Sequence, residues 1–342
     1  MKSVTVAAVQ ASPVLLDRGA TIEKACDLIA KAAAQGAGLV VFPEAFVPGY
    51  PDWVWRTKPW DDHEWYARFL DQAVSVPSDA TDRLGEAARL AGAWVAIGIN
   101  ERDPASATIF NSLLYIGPDG AVAGCHRKLM PTGGERTVWG TGDGSTLTVL
   151  DTDFGRLGGL LCWENYMPLA RAAMYAQGID VYLAPTWDNA DTWVATLRHI
   201  AKEGRVFVIG TNSCIRGTDV PADLPGRDDL YHGEDDWLSR GNTTIVGPDG
   251  EIIAGPLTES EGILYAEIDA AIAHRSRREF DPVGHYARPD LFHLHVDTRP
   301  KNGVTFCSAE VHCPQPQRPA SRRHPTTVIC RDSLDDDFLA AD

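Results

Sequence analysis

Three side chains in this 342-residue sequence combine reactivity with a placement that could use it. Cys162 follows the apolar run LGGLL and precedes Trp-Glu-Asn. A helical pattern begins about three residues later, with Pro168 tolerable in its first turn and Gly178 stopping it. Strand, tight turn and helix together expose a nucleophile. A helix N-terminus close by lowers a thiol pKa, so Cys162 is expected to be activated toward thiolate. The plain alternative is a small buried hydrophobe, which describes most cysteines. Lys128 lies in GAVAGCHRKLMPT, where strand alternation puts it on the face of His126 and opposite Arg127 and Leu129. Lysine is scarce here, seven residues in all, so one beside an apolar stretch stands out. Glu44 directly follows the apolar strand GLVVFP, at the strand end where α/β sheets present ligand sites. Taken singly, Lys128 reads as an exposed strand-end lysine and Glu44 as a solvated turn carboxylate.

The elements that must hold these residues alternate along the chain. Strand-like segments are 4–10, 38–43, 93–99, 156–162, 180–185, 206–213 and 262–268. Helical patterns cover 19–35, 79–91, 165–177 and 189–204, and Gly36 ends the first. The run at 38–43 is continuously apolar, as in a strand buried on both faces. Two hairpins, 112–129 and 243–256, share a Gly-Pro-Asp-Gly turn. This alternation predicts an α/β domain with helices outside a sheet core.

Composition narrows the class. Hydrophobic residues make up 44% and ten are Trp, enough to build a core and to exclude pervasive disorder. No apolar run approaches the ~18 residues of a membrane span. The start, MKSVTVAAVQASP, reads as a strand without the apolar core of an export signal. A net charge of −16 argues against nonspecific binding to nucleic acid or anionic membrane. The segment from residue 300 carries only −1, so the acidity belongs to the rest of the chain. Seven cysteines, odd in number and irregularly spaced, suit reduced thiols in a cytoplasm.

Together the strings are far more specific than any one residue. FPEAFVPGYPDW at 42–53, HRKLMPTGGERTVWGTGDGS at 126–145 and CWENYMPLARAAMYAQG at 162–178 resemble the nitrilase (carbon–nitrogen hydrolase) superfamily, and its nitrilase branch in particular. The resemblance runs from about residue 4 to 295 and includes LAPTWDNADTWVATLRHIAKEGRVFV at 183–208. It implies a catalytic triad of Glu44, Lys128 and Cys162, with Glu135 as a second glutamate of the site. It implies an αββα sandwich whose subunits pair through outer helices into an αββααββα dimer, with larger or helical homo-oligomers built from it. The implied reaction is hydrolysis of a small-molecule nitrile to the carboxylic acid and ammonia, without metal or other cofactor. In it Cys162 adds to the nitrile carbon to form a thioimidate, Lys128 stabilises charge on nitrogen, and Glu44 moves protons. Loss of the thiol before ammonia gives an amide side product. The implied catalytic domain spans 1–299, its last part, about 280–299, serving as an interface extension. Residues 300–342, Pro- and Arg-rich and then acidic, read as a flexible tail.

Tyr50, Trp163 and Trp187 flank the motifs and are candidates for an apolar substrate pocket or for plain core packing. Trp53, Trp55, Trp60 and Trp65 read as a partly exposed segment near the pocket mouth or a subunit contact. The stretch 219–236 holds seven acids against Arg227 alone and reads as a solvated insert, or an interface. GTGDG at 140–144 lacks the continuation of a phosphate loop, and His293 with His295 lacks a third metal ligand. The rival readings are an amidase or a cyanide-hydrolysing enzyme with the same triad. Beyond these lie a papain-like pairing of Cys162 with His199 or His285, and a non-catalytic filament or binding protein.

Overall fold

The computed structural model describes residues 2–233, 236–301 and 304. The expected tail therefore lies outside the described residues, Pro300, Lys301 and Val304 apart, and so do Cys307, Cys313 and Cys330. In chain order the elements are β1 (Val4–Gln10), α1 (Arg18–Ala34), β2 (Ala37–Val41), α2 (His63–Gln72), α3 (Asp79–Ala91), β3 (Trp94–Arg102), β4 (Ile109–Ile116) and β5 (Val122–Arg127). There follow β6 (Val149–Thr152), β7 (Gly155–Gly159), α4 (Pro168–Ala176), β8 (Val181–Leu183), α5 (Asp191–Gly204), β9 (Phe207–Gly210) and β10 (Cys214–Arg216). The last are α6 (Arg227–Leu230), β11 (Trp237–Val246), β12 (Ile252–Thr258), β13 (Gly262–Ile268) and α7 (Ala270–Ser276). One sheet has the order β13-β1-β2-β3-β4-β5, the other β10-β11-β9-β8-β7-β6, with β12 paired to β11.

Strand alternation stacks the layers. In β1, Ala7 and Val9 face the helices α1 and α3, whereas Val6 and Ala8 face the second sheet. Val40 and Leu39 divide the same way in β2, so the continuous apolar run does serve two cores. The inter-sheet core is completed by Leu157, Val181, Leu183, Phe207 and Ile209. Tyr182 and Val208 point the other way, onto α4 and α5 through Met174, Trp193 and Leu197. The result is helices, sheet, sheet, helices: the expected αββα sandwich. Asp17 starts α1 by accepting the Ala20 amide at 2.9 Å, and Gly36 at φ 82° lets the chain leave after it.

Element boundaries depart from the sequence expectation mainly where chain leaves a sheet for the site. β2 stops at Val41 and β7 at Gly159, three residues short of Cys162. Beyond those ends the backbone still tracks its neighbour. The Phe42 amide donates to Ala96 at 2.8 Å and the Val47 amide to Gly98 at 3.1 Å. The Cys162 amide donates to Pro185 at 2.8 Å. The stretch 219–236 also differs from a solvated insert. Val220, Leu224 and Tyr231 pack with Trp53, Trp65 and Phe69, and the Trp65 indole N–H donates to the Pro225 carbonyl at 3.0 Å. Asp219, Asp223, Asp228 and Asp229 face outward while the apolar residues cover the tryptophan segment, which the count of charges alone conceals.

Gly98 in β3 lies where the Glu44 turn crosses the strand. A Cβ there would fall against the Pro43 carbonyl oxygen and the Ala45 amide, both backbone groups with little room to shift. Gly98→Ala is expected to cost about 1–3 kcal/mol by overpacking, read as a lower midpoint in chemical denaturation.

Candidate active site

Three chain ends from the two sheets converge. Past β2 the backbone turns at Ala45, φ 49°, and sets Glu44 inside with 1% exposure. Past β5, Lys128 stays in register because its amide donates to the Asn111 carbonyl at 2.8 Å. Its side chain is as buried as that of His126, while Arg127 turns outward to Glu101, as the alternation predicts. Past β7, Cys162 adopts φ 50°, a left-handed conformation costly for a residue with a Cβ. A single 3-10 turn, Cys162–Tyr166, follows, and α4 begins only at Pro168.

Lys128 Nζ lies between two carboxylates, 2.8 Å from Glu44 Oε1 and 2.8 Å from Glu135 Oε2. The two carboxylates are held differently. Glu135 is saturated: Oε1 accepts the Tyr50 hydroxyl at 2.7 Å, and Oε2 also accepts the Thr132 amide at 2.6 Å. Glu44 Oε1 accepts the Asn111 side-chain amide at 2.7 Å as well as Lys128, but Oε2 accepts no hydrogen bond from the protein. Burial raises the Glu44 carboxyl above its usual range against the pull of Lys128, and Glu135 adds to the rise. Burial alone would lower the Lys128 ammonium, yet Glu44, Cys162 and Glu135 outweigh it and hold it above its ordinary value.

Cys162 corrects one expectation. Its thiol is not lowered toward thiolate but pushed up to about 12, first by burial and then by the Glu44 charge, with Lys128 opposing. The helix that was to activate it starts six residues on, and the side chain is only 4% exposed. The Thr186 hydroxyl is 3.2 Å from the sulfur and oriented to donate to it. The cysteine is thus a thiol awaiting a base.

The aromatic candidates divide in position but share one wall. Tyr50 is buried and stacks on Trp187, with centroids 4.1 Å apart and planes at 5°. Burial, Glu135 and Glu44 together raise the Tyr50 phenol well above its usual value, so it stays a donor. Trp163 is 47% exposed, and its indole N–H donates to Asp188 Oδ2 at 2.9 Å. With Trp55 they line a cavity of about 350 Å³ that reaches Cys162 and Glu135. Of the tryptophan segment, only Trp55 contributes to this cavity; Trp53 and Trp65 are core and Trp60 is exposed.

Several residues of the site carried no signal of their own in the sequence. Asn111 and Thr186 sit mid-strand or in a loop with no local motif. Glu164 was visible inside Cys-Trp-Glu-Asn, but nothing local gave it a partner. His199 pairs at 3.7 Å with Glu203 on the outer face of α5, and neither it nor His285 lines the Cys162 cavity. Among the described residues no group of three or more His, Cys, Asp or Glu could hold a metal ion. Within them, too, no helix is long and apolar enough to cross a membrane.

The carbon–nitrogen hydrolase family model matches residues 5–278. An aliphatic nitrilase of Sinorhizobium fredii is 47% identical over 304 residues, 87% of this chain and 97% of its own length. Nitrilase 2 of Arabidopsis thaliana is 41% identical, covering 88% of this chain and 90% of itself. Among solved structures, a carbon–nitrogen hydrolase of Helicobacter pylori superposes with TM-score 0.68 over 85% of this chain and 97% of that one, at 22% identity, a likeness of fold. On these matches the chain belongs to the carbon–nitrogen hydrolase family, in its nitrilase branch, and is a hydrolase of carbon–nitrogen bonds.

Proposed function

We propose that this protein hydrolyses an organic nitrile to its carboxylic acid and ammonia through a covalent intermediate on Cys162. The observation that carries the reading is Lys128 held between a saturated Glu135 and a half-free Glu44, beside a buried thiol at an apolar cavity. The relatives named nitrilases support the choice of substrate.

The roles follow from the hydrogen bonds. Glu44 Oε2 takes the thiol proton as Cys162 sulfur bonds to the nitrile carbon, because a thiol near pKa 12 does not ionise unaided. The same proton passes to the nitrile nitrogen, whose developing charge Lys128 stabilises, and a neutral thioimidate results. Glu44 then deprotonates a water that attacks the thioimidate carbon. Glu44 returns that proton to nitrogen, the adduct's hydroxyl proton follows it, the C–N bond breaks, ammonia leaves, and a thioester remains. A second water cleaves the C–S bond, releases the acid and returns the proton to sulfur. Glu135 has no free oxygen for proton transfer; it fixes Lys128 in place.

We place the catalytic domain at 1–299 and the subunit contacts on its exposed apolar residues. Tyr166, Met167 and Leu169 at the start of α4 would pair two subunits into the αββααββα dimer. Tyr286, Leu291 and Phe292 in the 280–299 extension would join dimers into a larger homo-oligomer. The four described cysteines are all free, which suits a reducing cytoplasm.

A panel of aliphatic, aromatic and arylacetic nitriles, assayed for ammonia beside the matching amides, tests the substrate. Acid and ammonia from a nitrile are expected, and turnover of amides alone would overturn the reading. Cys162→Ala should cost at least ~10³-fold in kcat, and unchanged turnover would remove Cys162 as nucleophile.

The pH profile tests Glu44. Its base form is required and its pKa is raised, so activity is lost as pH falls through that raised value. The acid limb should therefore lie above the ordinary glutamate value of ~4.3. Glu44→Gln should lower kcat by roughly 10²- to 10⁴-fold and leave no such limb. An acid limb that survives in Glu44→Gln would assign the titration to another group.

A further inference from the structure

A third buried carboxylate lies beside the catalytic cluster and is used by none of the steps above. Glu164 is 1% exposed, and its two oxygens accept from three donors. Oε1 takes the Leu129 amide at 2.7 Å, Oε2 takes the Leu161 amide at 2.7 Å, and His126 Nε2 lies 3.2 and 3.0 Å from the pair. The two amides belong to different sheets' chain ends. Leu129 is the residue after Lys128, and Leu161 is the residue before Cys162. One carboxylate therefore ties the backbone carrying the ammonium to the backbone carrying the sulfur.

The charge of this clamp is set by His126. Its Nδ1 lies 2.9 Å from the Thr146 carbonyl oxygen, which can only accept. Its Nε2 faces a carboxylate that already accepts two backbone amides. Where Glu164 is ionised both ring nitrogens are thus donors, and the ring is an imidazolium. Burial opposes that charge, but the Glu164 charge and hydrogen bond outweigh it. The pair is neutral overall and fully enclosed, so its geometry is fixed by complete hydrogen bonding rather than by solvent.

We infer that Glu164, held by His126, is a positioning residue that sets the placement of Lys128 relative to Cys162 without touching substrate. The inference rests on the catalytic reading of those two residues, not on the identity of the nitrile. Glu164→Gln tests it. The amide has one acceptor oxygen, so one backbone N–H must face an NH₂ group, and the imidazolium loses its counter-charge. The expected result, per folded molecule, is a kcat lowered at least tenfold with KM within about threefold. Alkylation of Cys162 by iodoacetamide should slow in parallel. A merely structural defect would lower the folded fraction and leave both rates per folded molecule intact. That outcome, or faster alkylation, overturns the inference. If Glu164→Gln does not fold, His126→Gln keeps the carboxylate and replaces the imidazolium by a neutral donor. It should slow alkylation at least threefold, and an unchanged rate would equally overturn the inference. Alkylation needs no nitrile. Slowed alkylation in a chain whose unmutated form turns over no nitrile would uphold the clamp and sink the proposed substrate.

Discussion

The structure is organised around one electrostatic constraint, an ammonium buried between two carboxylates. Any one of these charges alone would be expelled or neutralised by burial. Lys128 between Glu44 and Glu135 still leaves a formal excess of one negative charge. Burial pushes the Glu44 carboxyl and the Cys162 thiol upward, and that excess adds to both rises. The αββα sandwich serves this constraint by delivering the charges from different strands. Glu44 and Lys128 come from the first sheet and Cys162 from the second, so the inter-sheet core fixes their spacing.

Much of the fold was legible because its periodicities are strong. The strand expected at 4–10 and the helix expected at 79–91 appear with those bounds, α1 shifts by one residue, and β3 runs three residues past its expected end. Both hairpins turn at the Gly-Pro-Asp-Gly sequences, with Gly120 and Gly250 at positive φ. What misled was the end of each strand that feeds the site. The apolar run through Leu161 reads as strand to Cys162, yet the ladder stops at Gly159. The remaining residues keep their hydrogen bonds to Leu183 and Pro185 while leaving the sheet. Composition cannot distinguish a paired strand from its unpaired continuation.

The site was legible to a different depth. The three strings around Glu44, Lys128 and Cys162 identified the residues that the fold brings together, because each occupies a distinctive motif. Their electrostatics were not legible. A helix pattern downstream of Cys162 suggested a lowered pKa, but the sign depends on what encloses the sulfur, and Glu44 lies more than a hundred residues away in sequence. Asn111 and Thr186 have the same character. Their side chains matter through contacts of 2.7 and 3.2 Å with residues 67 and 24 positions distant, which no local spacing announces.

The aromatic wall answers a further question, namely how so charged a centre accepts a neutral substrate. Three of its four rings are tied by polar atoms to fixed partners: Tyr50 to Glu135, Trp55 to the Tyr50 hydroxyl, and Trp163 to Asp188. Trp187 is held by stacking on Tyr50. The donor atoms of these three rings are thus spent on the protein. A nitrile is apolar along its carbon skeleton and polar only at nitrogen, so it matches an aromatic lining that ends at Cys162 and at Glu135, the carboxylate bonded to Lys128. Tyr50 joins the two functions. Its ring orders the wall, and its hydroxyl saturates Glu135, which in turn holds Lys128 toward Glu44. The geometry that selects the substrate and the geometry that polarises it are therefore set by one side chain.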